Sequence, residues 1–182
     1  METNTWTLDT AHSGIGFAIR HMVVAKVRGR FDSWTGTVKL DEQDLTRSEV
    51  DVQIDASSID TGNAQRDTHL RSADFLDVEQ FPTLRFQSTR VENAGAERFR
   101  VLGKLTIHGV TRDVALDVER GGTGKDPWGN QRVGFAATTS ILRSDFGLSW
   151  NQALETGGLL VADRVDIELD VQAVQSAARK TA

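Results

Sequence analysis

The chain has 182 residues, 38% of them apolar, and 26 acidic against 21 basic side chains give a net charge of −5, which suits one domain able to bury its own core. Having no cysteine, it is excluded from disulfide frameworks, thiolate metal sites and cysteine nucleophiles, and its acidic balance argues against a general nucleic-acid binder. No apolar run approaches the roughly 20 residues that span a bilayer, and Met-Glu-Thr-Asn is no signal peptide, so the expectation is a soluble, cytoplasmic protein without an integral membrane segment.

In chain order, the dominant pattern has period two. Ile15, Phe17 and Ile19 open it; Val27, Gly29 and Phe31 follow, then Val38 and Leu40, then Val50, Val52 and Ile54. A polar break runs from Thr61 to Pro82. Asn63 there is placed to cap a short helix through Leu70, and Phe75, Leu76 and Phe81 give the segment an apolar underside suited to a lid. Alternation resumes at Leu84, Phe86 and Ser88, and continues from Phe99 to Ile107 and through Val114, Leu116 and Val118. After a glycine-rich loop over 121–130 come Val133, Phe135, Ala137, Thr139 and Ile141, and last the strict alternation from Val165 to Ala173. Such segments bury one face and wet the other, as half-buried antiparallel strands do. About nine of them with almost no helix predict an all-β sandwich or closed barrel, closure being favoured because it leaves no edges. One domain over 1–174 and a C-terminal tail over 175–182 are expected.

The chemistry-bearing motifs are weak. Gly124-Lys125 fails as a phosphate loop, because Glu119 stands at the required first glycine and Asp126 where Ser or Thr would bind magnesium. Gly14-x-Gly16 lacks its third glycine. Asp9, His12 and Ser13 invite a hydrolase reading, but neighbours in an extended chain face opposite ways, and a hydrogen-bonded cap at the first strand fits better. His12, His21, His69 and His108 show no local metal spacing, and no metal or required cofactor is expected. His21 shares parity with Ile19 and so points inward, where it is either a satisfied buried histidine or a polar anchor for a ligand head group. Thr139 and Ser88 share that parity. The inward set mixes large residues (Phe17, Phe31, Phe86, Phe99, Phe135) with Gly29, Gly103, Ala137 and Ala173. Small residues of this kind either let large ones fill the taper or leave room for an apolar ligand. Trp34, Leu102, Trp128 and Trp150 fall off the inward parity or in loops and are candidates for a contact surface, with a homodimer as the expected assembly.

Several motifs together resemble one family. Trp6-Thr7-Leu8-Asp9 and His12-Ser13-x-Ile15-x-Phe17-x-Ile19-x-His21 are followed by Gly29-Arg30-Phe31 and Arg66-Asp67-x-His69-Leu70-x-Ser72-x-Asp74-Phe75-Leu76-Asp77. Phe81-Pro82-Thr83-Leu84-x-Phe86 and the run Gly103 to Thr111 come next. Gly134-Phe135, Arg143-x-Asp145-Phe146-Gly147-Leu148 and Asp163-Arg164-Val165-x-Ile167 complete the order. Over residues 6–174 this resembles the YceI-like family. The resemblance implies an extended antiparallel lipocalin-like barrel of about eight strands with one short helical excursion. It also implies a long pocket for a polyisoprenoid, quinone-like or related amphiphile and a dimer in some members; it does not imply an enzyme, and none is expected. Many relatives carry an export leader, a pattern from which this sequence departs, so an exported location is expected only if a leader was removed. The residues expected to contact such a hydrophobic small-molecule ligand are Phe17, Ile19, His21 and Phe31, then Val52, Ile54, Phe75 and Leu76, and finally Phe86, Phe135, Thr139 and Ile141. A ligand of about 40 carbons at about 0.3 kcal/mol per heavy atom would bind with about −12 kcal/mol, in the nanomolar range. Two other readings stand beside this one: an enzyme acting on a hydrophobic substrate through His21 or the Asp9/His12/Ser13 cluster, and an interaction module with a filled barrel.

Overall fold

A computed structural model describes residues 4–175. Eleven strands and one α-helix follow in order: β1 (Asn4–Leu8), β2 (Gly14–His21), β3 (Ala25–Phe31), β4 (Trp34–Leu40), β5 (Glu49–Asp55), β6 (Ile59–Asp60), α1 (Ala64–Arg71), β7 (Thr83–Gly95), β8 (Arg98–Ile107), β9 (Val110–Lys125), β10 (Gln131–Leu142) and β11 (Val161–Gln175). The ring β1-β4-β5-β7-β8-β9-β10-β11 returns to β1, giving a closed, antiparallel eight-stranded barrel. Gln175 still pairs with Gln131, so the last strand runs one residue past the expected end of the domain, through the first residue of the expected tail. The rest of that tail, 176–182, lies outside the described residues.

Closure depends on how β11 shares one edge. Its far end pairs with β1 (Thr7↔Val174, Leu8↔Ala173), and its near end with β2, from Val161↔His21 to Asp170↔Gly14. Between them the chain makes a short turn over Thr10–His12, capped by the Asp9 carboxylate, which accepts from the Ala11 N–H. Gln172 faces this break. Its carbonyl accepts from the Asp9 N–H at 2.8 Å and its N–H donates to Ser13 Oγ at 2.8 Å, so no ladder group is orphaned there.

The sheet parts on the other side of the β2–β3 hairpin. β3 meets β6 only at Arg30↔Asp60 and Phe31↔Ile59, and no pairing among the described residues covers that edge from Ala25 to Gly29. The segment 61–82 lies beside this opening. Asn63 caps α1 as expected, accepting from the Arg66 N–H at 3.0 Å. Buried Asp67 accepts from the Thr61 N–H and hydroxyl, and Arg71 donates to the Ser57 and Ile59 carbonyls. These bonds tie a polar helix, with no apolar face of its own to dock, onto β6.

The inward glycines are occupied by neighbours. A Cβ on Gly29 would collide with the ring of Phe17, its cross-strand partner, and one on Gly103 with the ring of Phe86. Gly36 likewise admits Leu8. Each large side chain occupies the space that a Cβ at the glycine would need. Gly36 also connects Trp34 to Val38 in one inward row, and Trp34 is buried rather than off parity. Leu102 and Trp150 are half-buried as well, leaving Trp128 alone of those four as an exposed side chain. A bulge between Ser88 and Arg90 shifts the register of β7, which turns Val91 inward into the core.

Candidate ligand cavity

Every barrel strand sends apolar side chains into one cavity of about 950 Å³, at the upper end of the usual range for small-molecule sites. The interior is therefore not filled by side chains, even with the glycines covered. Phe17, Phe31, Phe135 and Ile141 are only half-buried although they face inward, because part of their surface is cavity wall.

All twelve residues expected to meet a ligand line this space. Phe17 and Ile19 come from β2, Phe31 from β3, Val52 and Ile54 from β5, and Phe86 from β7. Phe135, Thr139 and Ile141 come from β10, and His21 sits at the rim. Phe75 and Leu76 reach the same cavity from the segment after α1 and are buried. Phe81 does not: it packs on the β8–β9 turn, 4.7 Å from the His108 ring and against Gly109. Two expected polar anchors are already committed. Thr139 Oγ1 donates to the Ala115 carbonyl at 2.8 Å. Ser88 Oγ accepts from the Val50 N–H at 2.8 Å and is absent from the lining.

Polar lining is concentrated at one end. Arg20 and His21 end β2, and Thr61, Asn63, Gln65, Arg66 and His69 come from the start of α1 and its approach. Arg66 donates through Nε to Thr61 Oγ1 and through Nη2 to the Thr61 carbonyl. The His69 ring stands edge-on to Trp150, with centroids 4.7 Å apart, and its Nε2 lies 2.8 Å from Asp74 Oδ2. Trp150 also packs on Phe75 at 5.2 Å. Toward the opposite end the wall is mainly aliphatic and aromatic, with Val91, Phe99, Val118 and Val171, and its Ser48 hydroxyl already accepts from the Asp41 N–H.

Arg143 at this rim opens one of the family motifs, but the motif does not reveal its role. It is buried, and its guanidinium donates to the carbonyls of Leu148, Trp150 and Ala162 at 2.7, 2.9 and 2.9 Å. Burial lowers its pKa, and nearby Asp163 opposes that. The result is a pin that fixes the ribbon 148–162 beside the mouth. Its sequence signals are the motif it opens and its position three residues before Phe146, itself fully buried.

The Asp9/His12/Ser13 cluster does not form a relay. His12 Nδ1 and Arg132 Nη1 both meet Asp9 Oδ2, at 2.9 and 2.6 Å, while Ser13 Oγ is turned to Gln172. The Arg132 guanidinium holds the Asp9 carboxyl down to about 2. Arg132 also binds Asp126, so the cluster clasps the 126–130 loop to the first turn. Among the described residues, no three His, Asp or Glu gather as a metal site.

The model of the YceI-like domain matches residues 6–173. A UPF0312 protein of Vibrio cholerae is 38% identical over 172 residues, covering 93% of this chain and 87% of its own length. Among solved structures, BcnA of Burkholderia cenocepacia superposes with a TM-score of 0.80 at 26% identity, over 91% of this chain and 98% of that one. A polyisoprenoid binding domain from Saccharophagus degradans shares the fold, with a TM-score of 0.64 at 18% identity over 93% and 98% of the two chains. With the closed barrel, the interior cavity and a match over nearly its whole described length, the chain belongs to the YceI-like family.

Proposed function

We propose that this protein is a non-catalytic carrier or store that holds a long isoprenoid or similar amphiphile inside its barrel. The observation that carries the reading is the division of one cavity into a long apolar interior and a single polar rim. That division suits a molecule with a hydrophobic tail and a polar head. The head would rest among His21, Asn63 and Arg66, and the tail would run past Phe17, Phe86 and Phe135. A fold neighbour described as polyisoprenoid binding supports the class of ligand. Burying methylenes at about 0.8 kcal/mol each supplies affinity without directional contacts, and so no loud motif is needed. Catalysis has no comparable support: no serine–histidine bond exists in the Asp9 cluster, and no carboxylate orients the His21 ring among the described residues.

Organic extraction of the purified protein followed by mass spectrometry tests the reading, together with thermal melts in added prenyl alcohol or quinone. A stoichiometric amphiphile, or a melting temperature that rises with ligand concentration by linkage, is expected. Finding neither would overturn it.

A further inference from the structure

The β2–β3 hairpin departs from the rest of the molecule in charge and in turn chemistry. Residues 14–31 contain four cations, Arg20, Lys26, Arg28 and Arg30, and no acid, in a chain of net charge −5. Arg30 is paired with Asp32 and Asp60. Arg20, Lys26 and Arg28 have no ion pair among the described residues, and Arg20 stands directly opposite Lys26 on the outer face, an arrangement that costs stability. Acids do lie nearby. Asp166 and Glu168 on β11 occupy the rows of Ala18 and Gly16, one strand away, and Asp166 is engaged by Arg164.

The tip is equally unusual. The Val24 N–H donates to the His21 carbonyl within a three-residue connection between paired His21 and Ala25, in which Met22 and Val23 have φ of 54° and 63°. Successive positive φ values favour Asn and Gly, and a β-branched residue there is strained. The β8–β9 turn obeys the rule, with His108 and Gly109 at φ of 53° and 71°. The strained tip is also bare. Met22, Val23 and Val24 are 47%, 75% and 86% exposed, and Leu159 on the neighbouring ribbon is 55% exposed. That ribbon, with Glu155 as its acid, is joined to the tip by a bond from the Met22 N–H to the Leu160 carbonyl at 2.9 Å. His21 and Leu160 also line the mouth of the cavity. Backbone preference selects against these side chains and water does not reward them, so a function outside the fold accounts for them better.

We propose that the β2–β3 tip and the 151–160 ribbon form a docking edge that seats the cavity mouth on an anionic lipid surface. Met22, Val23, Val24 and Leu159 enter the headgroup boundary, and Lys26 and Arg28 face the lipid phosphates. An amphiphile then passes between bilayer and cavity without crossing water. The inference rests on the lipid-carrying reading for its purpose, but not for its test.

Flotation of the full chain with phosphatidylcholine vesicles, with and without phosphatidylglycerol, tests it. The two free cations facing the phosphates are expected to tighten binding to the anionic vesicles by about thirtyfold, and salt to weaken it. The paired substitution Met22→Asn, Val23→Gly removes the apolar tip yet supplies the residues the turn prefers. It should lose about tenfold in vesicle binding with no fall in melting temperature. Lys26→Glu with Arg28→Glu should abolish the preference for anionic vesicles. In both variants a prenyl alcohol supplied in detergent should bind as in the parent, whereas its uptake from vesicles slows. Equal binding to both vesicle types, no binding to either, or variants that bind undiminished would overturn the proposal. Flotation with anionic vesicles by a chain that takes up no prenyl alcohol would sustain docking and defeat the carrier reading alone.

Discussion

The two ends of β11 sit in opposite settings. At its far end β1 completes the ring, and Arg132 clasps Asp9 and Asp126 across the closure. At its near end the sheet parts beside β3, and the gap is bordered by a capped polar helix, a ribbon held by a buried arginine and a bare apolar tip. One end is locked by charges that neutralise each other; the other carries charges left free. The difference indicates that closure is the structural task of the first end and access the task of the second.

Substitutions can break that contrast in graded steps. The largest effect is expected from Arg143→Ala, which leaves several carbonyls of the mouth ribbon without a donor. A loss of about 3 kcal/mol or more, seen as a fall of roughly 10 °C in melting temperature, should accompany selective proteolysis within 148–162. Next, Gly29→Val should displace the Phe17 ring into the cavity. It is expected to cost about 1–3 kcal/mol and to weaken prenyl alcohol binding measured by fluorescence titration. At the locked end, Asp9→Asn should cost about 1.5–3 kcal/mol at neutral pH in urea melts. The Asp9 carboxyl is depressed to about 2 in the folded chain and titrates near 3.9 unfolded. Its contribution is therefore full above about pH 4 and is lost as pH falls towards 2, and the variant should lack that part of the acid dependence. The smallest effect has the opposite sign: Met22→Asn with Val23→Gly should raise stability by about 0.5–1 kcal/mol, relieving the turn at the open end.

Period two made the barrel and its inner face legible, because side-chain direction in a strand is a local property. Phe17, Val52, Phe86 and Phe135 follow from it directly. What escaped depended on partners distant in sequence. That Gly29 and Gly103 are covered by Phe17 and Phe86 is a matter of cross-strand register, and nothing local marks which ring fills which gap. Trp34 was obscured because Gly36 interrupts its apolar row. Ser88 lies on the inward parity but at a bulge, where its hydroxyl bonds to β5. Arg143 carries the composition of a surface residue, and only the folded ribbon around it supplies the carbonyls that bury it.

The sharing of β11 between β1 and β2 also has a kinetic consequence. Thr7 meets Val174 across 167 residues of chain, so the ring can shut only after nearly all of the described chain exists. Contacts of such sequence separation form slowly because the loop entropy is lost before the pairing compensates it. Until then the inner wall is an open, apolar sheet with two unsatisfied edges, exposed to self-association during synthesis. The cavity is thus a late product of folding, and whatever occupies it must arrive after the last strand has docked.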